Sequence, residues 1–224
     1  MTEVVIRNKE LLETLDGFVD TFRSIKGYDD EKYRTWSPEN ARTNGIYYCN
    51  EDNLAFQKAL GNKHSGYPEQ HYSQPVSNMA ELDPDKWKDI EGTVKRKFPA
   101  VLGAHSSALF NYYPPGGFVG WHTNWNANAY QFLFTWSETG EGFFKYFDNE
   151  KQSIVTIEDV PGWQCRWYYF GRQDEPEHHC WHSAYAGCDR ITLAYKIVNR
   201  RIGCDKDRQA RNLRDIIIED IEME

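Results

Sequence analysis

Long apolar runs are missing from this chain. No stretch approaches the ~18 consecutive apolar residues that a membrane-spanning helix needs. The opening Met-Thr-Glu-Val-Val-Ile-Arg-Asn-Lys-Glu also lacks the apolar middle and small-residue cleavage site of a secretory signal. Cysteine is sparse, with five in 224 residues at positions 49, 165, 180, 188 and 204. An odd number without a dense framework excludes a disulfide-stapled scaffold and fits reduced thiols, so a cytoplasmic location is the expectation. Positive charge is short too: 26 Lys and Arg against 34 Asp and Glu leave a formal charge of −8. Such a surface repels phosphate backbones, which argues against nucleic acid as a partner. Lys95-Arg96-Lys97, the one basic cluster before the tail, reads as the solvated end of a helix.

Forty per cent of the residues are apolar and 15% aromatic, enough for the core of a single large domain. Residues 8–24 set Leu11, Leu15, Phe18 and Phe22 on one helical face. Residues 27–80 are polar and aromatic without a sustained period, and are expected to be irregular, with a short strand around Ile46–Cys49 and a part in a substrate lid. Asp83 and Pro84 suit the N-cap and first turn of a helix whose stripe is Trp87, Ile90, Val94 and Phe98. From 104 the pattern turns to strands, expected at 106–113, 119–124, 129–136, 142–148, 153–157, 164–170, 178–184 and 190–198. Eight short strands with no helical crossover predict a mainly β, closed or sandwiched antiparallel fold such as a jelly roll. The organisation expected is one domain: a helical and irregular flank over 1–103, a β core over 104–198 and a charged C-terminal helix over 199–224. In that helix Leu213, Ile216, Ile217 and Ile221 form the stripe; packing on the core is favoured over a homodimer contact.

The candidate site centres on Asn111-Tyr-Tyr-Pro-Pro-Gly-Gly-Phe-Val-Gly-Trp-His122-Thr-Asn124. Period-2 geometry puts His122 and Asn124 on one face of a strand. His182 comes sixty residues later. Two imidazoles and an oxygen donor suit a mononuclear iron(II) site. On the last strand Arg190 and Lys196 share parity, and inward-directed cations need an anionic partner. A dicarboxylate beside the metal would meet that need, with Arg190 making the planar contact. An alternative structural zinc site from His178, Cys180, His182 and Cys188 is disfavoured, because ligand pairs usually sit on turns. Trp121, Trp125 and Tyr130 are candidates for the wall of an apolar or planar substrate pocket.

Asn111-Tyr-Tyr113-Pro-Pro-Gly, Trp121-His122-Thr-Asn124, His182 and Arg190-Ile-Thr-Leu-Ala-Tyr-Lys196, in that order, resemble the double-stranded β-helix core of iron(II)- and 2-oxoglutarate-dependent dioxygenases, including prolyl-hydroxylase-like and AlkB-like members. The resemblance covers a little under half the chain. It implies iron ligation by His122 and His182, and 2-oxoglutarate held by Arg190, Asn111 and Tyr113, with Lys196 as a second basic residue. It also implies oxygen as co-reactant and ascorbate as a stimulant. The reaction implied is hydroxylation of a substrate C–H bond with decarboxylation of 2-oxoglutarate to succinate. The substrate would be a small molecule or a peptide or protein side chain. One position departs from the family: Asn124 stands where His-x-Asp or His-x-Glu is the rule. A neutral amide ligand, room for a halide as in halogenating members, or an inactive binding module are the three consequences, hydroxylation being favoured. Glu177 and Asp148 are candidates for a replacement carboxylate.

Overall fold

The computed structural model of the chain describes residues 1–33, 35–36, 45–61, 68, 70–97, 106–124, 130–171, 176–197 and 206–223. Its strands are β1 (Thr2–Val4), β2 (Thr35–Trp36), β3 (His71–Pro75), β4 (Ser106–Tyr113), β5 (Phe118–His122), β6 (Tyr130–Ser137), β7 (Gly142–Asp148), β8 (Ser153–Glu158), β9 (Gly162–Tyr169), β10 (His182–Ala186) and β11 (Arg190–Ile197). The helices are α1 (Lys9–Arg23), α2 (Glu51–Ala59), α3 (Met79–Leu82), α4 (Pro84–Gly92) and α5 (Lys206–Glu222). Ten strands are joined in the order β1-β9-β6-β11-β4-β3-β5-β10-β7-β8, and β2 pairs with β3 off that path. The recorded strand pairings are antiparallel. The result is a curled, mainly β half-barrel of the double-stranded β-helix type with helices packed outside it, as the strand pattern predicts.

Period-2 alternation sorts the residues of this curl. On β11, Ile191, Leu193 and Tyr195 face outward into a core shared with Leu11, Leu15 and Phe22 of α1, Ile90 of α4 and Ile217 and Ile221 of α5. Ala194, of opposite parity, joins Tyr113, Val119, Leu133, Phe144, Tyr168 and Ala184 between the two halves of the curl. Both faces of β11 are therefore buried. A third cluster, Cys49, Tyr72 and Phe118, lies against Tyr48 on the outer face of the other half.

Local signals at the helix starts act as expected. Asn8 accepts from Leu11 N and Asp83 from Lys86 N, each satisfying an orphaned first-turn donor. Lys95, Arg96 and Lys97 are exposed at the end of the turn that continues α4. Ile217 and Ile221 bury on the body of the protein, whereas Ile216 is 54% exposed and falls outside the packed stripe. The four described cysteines are buried and none forms a disulfide; Cys204 lies outside the described residues, as does Phe98.

The described residues between 45 and 80 are more ordered than expected. Tyr47–Cys49 is a 3-10 turn, not a strand, and leads into α2 through the Asn50 cap. Strand β3 pairs with β5 through His71 and Tyr72 and with β4 through Gln74 and Pro75, and so stitches the two halves of the curl together. The sheet thus recruits residues 2–4, 35–36 and 71–75 from the segment expected to be flank. Pairing with strands remote in sequence, which no local period signals, creates all three.

Candidate functional site

Cross-strand register brings the two histidines together. His182 on β10 lies opposite His122 on β5, with ring centroids 4.1 Å apart. Strand parity alone would not do this. Between Val119↔Ala184 and His122↔His182, β5 uses three residues while β10 uses two. The extra residue is a bulge, which re-aims the side chains beyond it and turns His122 to the same side as Val119. A glycine is needed there: a Cβ on Gly120 would stand 2.9 Å from the carbonyl oxygen of Gln70, which accepts the Gly120 N–H at 2.8 Å.

Each ring is oriented by a backbone carbonyl. His122 Nδ1 donates to the carbonyl of Gly120 at 2.9 Å, and His182 Nδ1 to that of Cys180 at 2.9 Å. A carbonyl can only accept, so Nδ1 carries the proton in both rings and Nε2 carries the lone pair. This is the tautomer and second-sphere support that metal-binding histidines use. Both are deeply buried, at 7% and 5% exposure. Phe144, Tyr168 and Phe170 pack on His182 at ring distances of 5.7, 6.3 and 4.9 Å. Burial pushes His182 down to about 4, although the Cys180 carbonyl pulls it back part of the way.

Asn124 completes the group. Its amide nitrogen stands 3.3 Å from His182 Nε2. The two amide ends differ only by a flip, so a metal at Nε2 would meet the amide oxygen instead. By donor type, the two imidazole Nε2 atoms and the Asn124 amide oxygen suit an iron(II) ion. No group of three or more His, Cys, Asp or Glu suited to a metal forms among the described residues. Glu177 is exposed, and the Asp148 side chain accepts from Glu150 N and Lys151 N in a turn, so neither replaces the missing carboxylate. The zinc alternative fails because Pro176–His178 is a 3-10 turn rather than strand and leaves His178 exposed.

Asn111, Tyr113, Arg190 and Thr192 share the interior face of β4 and β11, Tyr113 opposite Arg190 and Asn111 opposite Thr192. Arg190 is 2% exposed, with its guanidinium carbon 5.4 Å from the Tyr113 ring centre. Asn111 donates its amide to Ser73 Oγ at 3.0 Å, and its buried Oδ1 has no partner among the described residues. Flipping that amide keeps the Ser73 bond and turns a donor toward the interior, which suits a carboxylate. Lys196 lies at the other end of the strand. It is opposite Gln131, whose β9 partner Tyr168 packs on His182, so Lys196 belongs to the histidine end.

The anionic partner of Arg190 is internal, contrary to the expectation of an external dicarboxylate. Nε donates to Asp159 Oδ2 at 2.8 Å and Nη1 donates to Thr192 Oγ1 at 2.8 Å. Burial opposes the charge of Arg190, but the Asp159 carboxylate outweighs it and raises the guanidinium above its ordinary value. Sequence reasoning missed Asp159, which stands in the turn between β8 and β9, 31 residues from Arg190. The signal available was the unmatched buried cation itself. The chemistry of the donor set fits a 2-oxoglutarate carboxylate, yet the cavity against Arg190 and Asp159 is about 10 Å³, room for one water.

Trp121 and Tyr130, two of the three aromatic pocket candidates, stand elsewhere. The bulge that turns His122 inward turns Trp121 outward, where its indole donates to the Asn50 carbonyl at 2.7 Å. Tyr130 packs on Trp167 and Tyr169 on the helix-covered face of the sheet, under Arg214. Trp125 lies outside the described residues.

No family model matches the chain, and no curated protein matches it in sequence. Among solved structures, it is similar to a prolyl-4-hydroxylase from Pseudomonas putida at 14% identity and a TM-score of 0.31, over 82% of this chain and 98% of that one. It is similar to YcfD, a ribosomal oxygenase from Escherichia coli, at 17% identity and a TM-score of 0.35, over 62% and 34% of the two chains. A predicted oxalate decarboxylase from Thermotoga maritima aligns at 22% identity and a TM-score of 0.26, over 41% of this chain and 66% of that one, so less than two thirds of its length is spanned.

Proposed function

We propose that this protein is an iron(II)- and 2-oxoglutarate-dependent oxygenase that hydroxylates a C–H bond. The observation that carries the proposal is the cross-strand pair His122 and His182, each with Nδ1 spent on a backbone carbonyl and Asn124 beside them. Iron(II) would be held by the two Nε2 atoms and the Asn124 amide oxygen, and would supply oxygen activation coupled to the oxidative decarboxylation of 2-oxoglutarate. The chain supplies the rest. The Gly120 and Cys180 carbonyls fix both rings in the ligating tautomer. Phe144, Tyr168 and Phe170 keep water from the His182 side, which raises the strength of every polar contact there. Arg190, Tyr113 and a flipped Asn111 would receive the cosubstrate's carboxylate only once Arg190 moves off Asp159 and the one-water cavity beside the pair opens.

A neutral third ligand leaves one negative charge fewer at the metal than a carboxylate would. Chloride dependence of the product separates halogenation from hydroxylation at such a centre. A second proposal, an inactive binding module, is favoured by one observation: the neutral amide of Asn124, not a carboxylate, stands beside His182.

Succinate release from 2-oxoglutarate with iron(II) and ascorbate tests the main proposal. Turnover that is present in the native protein and absent in His182→Ala supports it. A native protein that takes up neither iron nor 2-oxoglutarate sinks it and leaves the binding module.

A further inference from the structure

Arg190 already carries a counter-ion, and the surroundings of that pair are built for it. Asp159 Oδ2 accepts from Arg190 Nε, and Oδ1 accepts from Gln164 Nε2 at 3.0 Å. Gln164 is held in turn by Arg166, whose Nη1 donates to its Oε1 at 2.8 Å. Space for the carboxylate is made by Gly142, where a Cβ would stand 2.6 Å from Asp159 Oδ2. Arg190 and Asp159 both line the 10 Å³ cavity, together with Gln164 and Arg166.

On the oxygenase reading proposed for this site, we infer that Asp159 is a specificity-determining residue: it cancels the charge of the anion receptor Arg190 before cosubstrate arrives and so holds dicarboxylate affinity low. An arginine with a buried carboxylate attached forms a nearly neutral unit. A second carboxylate entering at Nη1 and Nη2 meets the repulsion of Asp159 at close quarters in a medium that screens poorly. Asp159 stands on a turn, not within a strand, and would keep the Gln164 N–H if a ligand drew Arg190 away from it. Replacing Asp159 with Asn preserves the shape and an acceptor for Nε, and removes the charge together with the acceptor that Gln164 Nε2 uses.

The test compares native protein with Asp159→Asn by calorimetric titration with 2-oxoglutarate in the presence of Mn(II), and by melting curves with glutarate and no metal. Asp159→Asn is expected to bind 2-oxoglutarate at least tenfold more tightly and to melt higher as glutarate is added. If instead it binds equally or more weakly, Asp159 merely positions Arg190 and the inference is wrong. Should Asp159→Asn fail to fold in plain buffer, recovery in glutarate but not in sodium chloride of equal ionic strength supports the inference, and no recovery overturns it. Asp159→Leu with Arg190→Met serves as the control; a glutarate response that survives in it places the anion elsewhere and also overturns the inference. Adding His182→Ala to Asp159→Asn separates the two proposals. A retained glutarate response without metal uptake leaves the role of Asp159 standing whatever becomes of the oxygenase.

Discussion

His122 and His182 face one another across β5 and β10 because β5 carries one residue more than its partner between Val119 and His122. The bulge thus makes a two-histidine centre out of two strands whose simple alternation would have aimed one ring outward. The interior they enter is apolar at one end, around Phe144 and Phe170, and ionic at the other, around Arg190 and Asp159.

On the proposed iron reading, Asn124→Asp would supply an anionic ligand beside His182. Mn(II) affinity should rise at least about tenfold, equivalent to ~1.4 kcal/mol, because a carboxylate adds a full charge beside a divalent ion. An unchanged affinity in a titration monitored by electron paramagnetic resonance would show that position 124 does not touch the metal.

Acid should destabilise the apoprotein through His182. Its pKa falls from the ordinary 6.5 to about 4 in the folded chain, chiefly by burial. Between those values the unfolded chain binds a proton that the folded chain does not, so stability is fully present above pH 6.5 and is lost as pH falls toward 4. The loss reaches about 3 kcal/mol at most. Urea midpoints at pH ~7 and ~4.5, with chelator present, should drop much less in His182→Gln than in the native protein.

Arg190→Met strands a buried carboxylate. Loss of one partner from a buried pair costs about 3–5 kcal/mol, whereas replacing both with apolar residues is close to neutral. Urea denaturation should therefore show a severe loss for Arg190→Met and a large recovery when Asp159→Leu is added. Independent, additive losses would mean the pair is not coupled.

Trp121→Phe removes the hydrogen bond to the Asn50 carbonyl and leaves the histidines untouched. Stability should fall by about 1–2 kcal/mol, while Mn(II) affinity stays within about twofold, well under the tenfold that ~1.4 kcal/mol represents. A large change in metal affinity would return Trp121 to the site.

In α5, Ile217→Ala should cost about 2–4 kcal/mol as a buried truncation, and Ile216→Ser less than about 0.5 kcal/mol. Sedimentation of Ile216→Ser tests the exposed side of the stripe. A shift in mass relative to native protein would show that Ile216 sits in a homodimer contact.

Much of this was written locally. Short aromatic and β-branched runs between turn residues placed β4 and β7 to the residue, and Asp83 and Pro84 marked a helix start, because caps and strand propensity act over a few neighbouring residues. The shared parity of Arg190 with Lys196, and of His122 with Asn124, came from the same source, while the choice of interior face on β11 did not. Tertiary structure decided the remainder. It chose which face of β5 His122 occupies, since a bulge exists only relative to the strand paired with it. It drew β3 out of a stretch with no period of its own, because that strand is defined by hydrogen bonds to β4 and β5. It turned Trp121 and Tyr130 away from the centre. It also gave Arg190 the carboxylate of Asp159, a residue on a turn whose charge gains its meaning only where the curl of the sheet buries the two together.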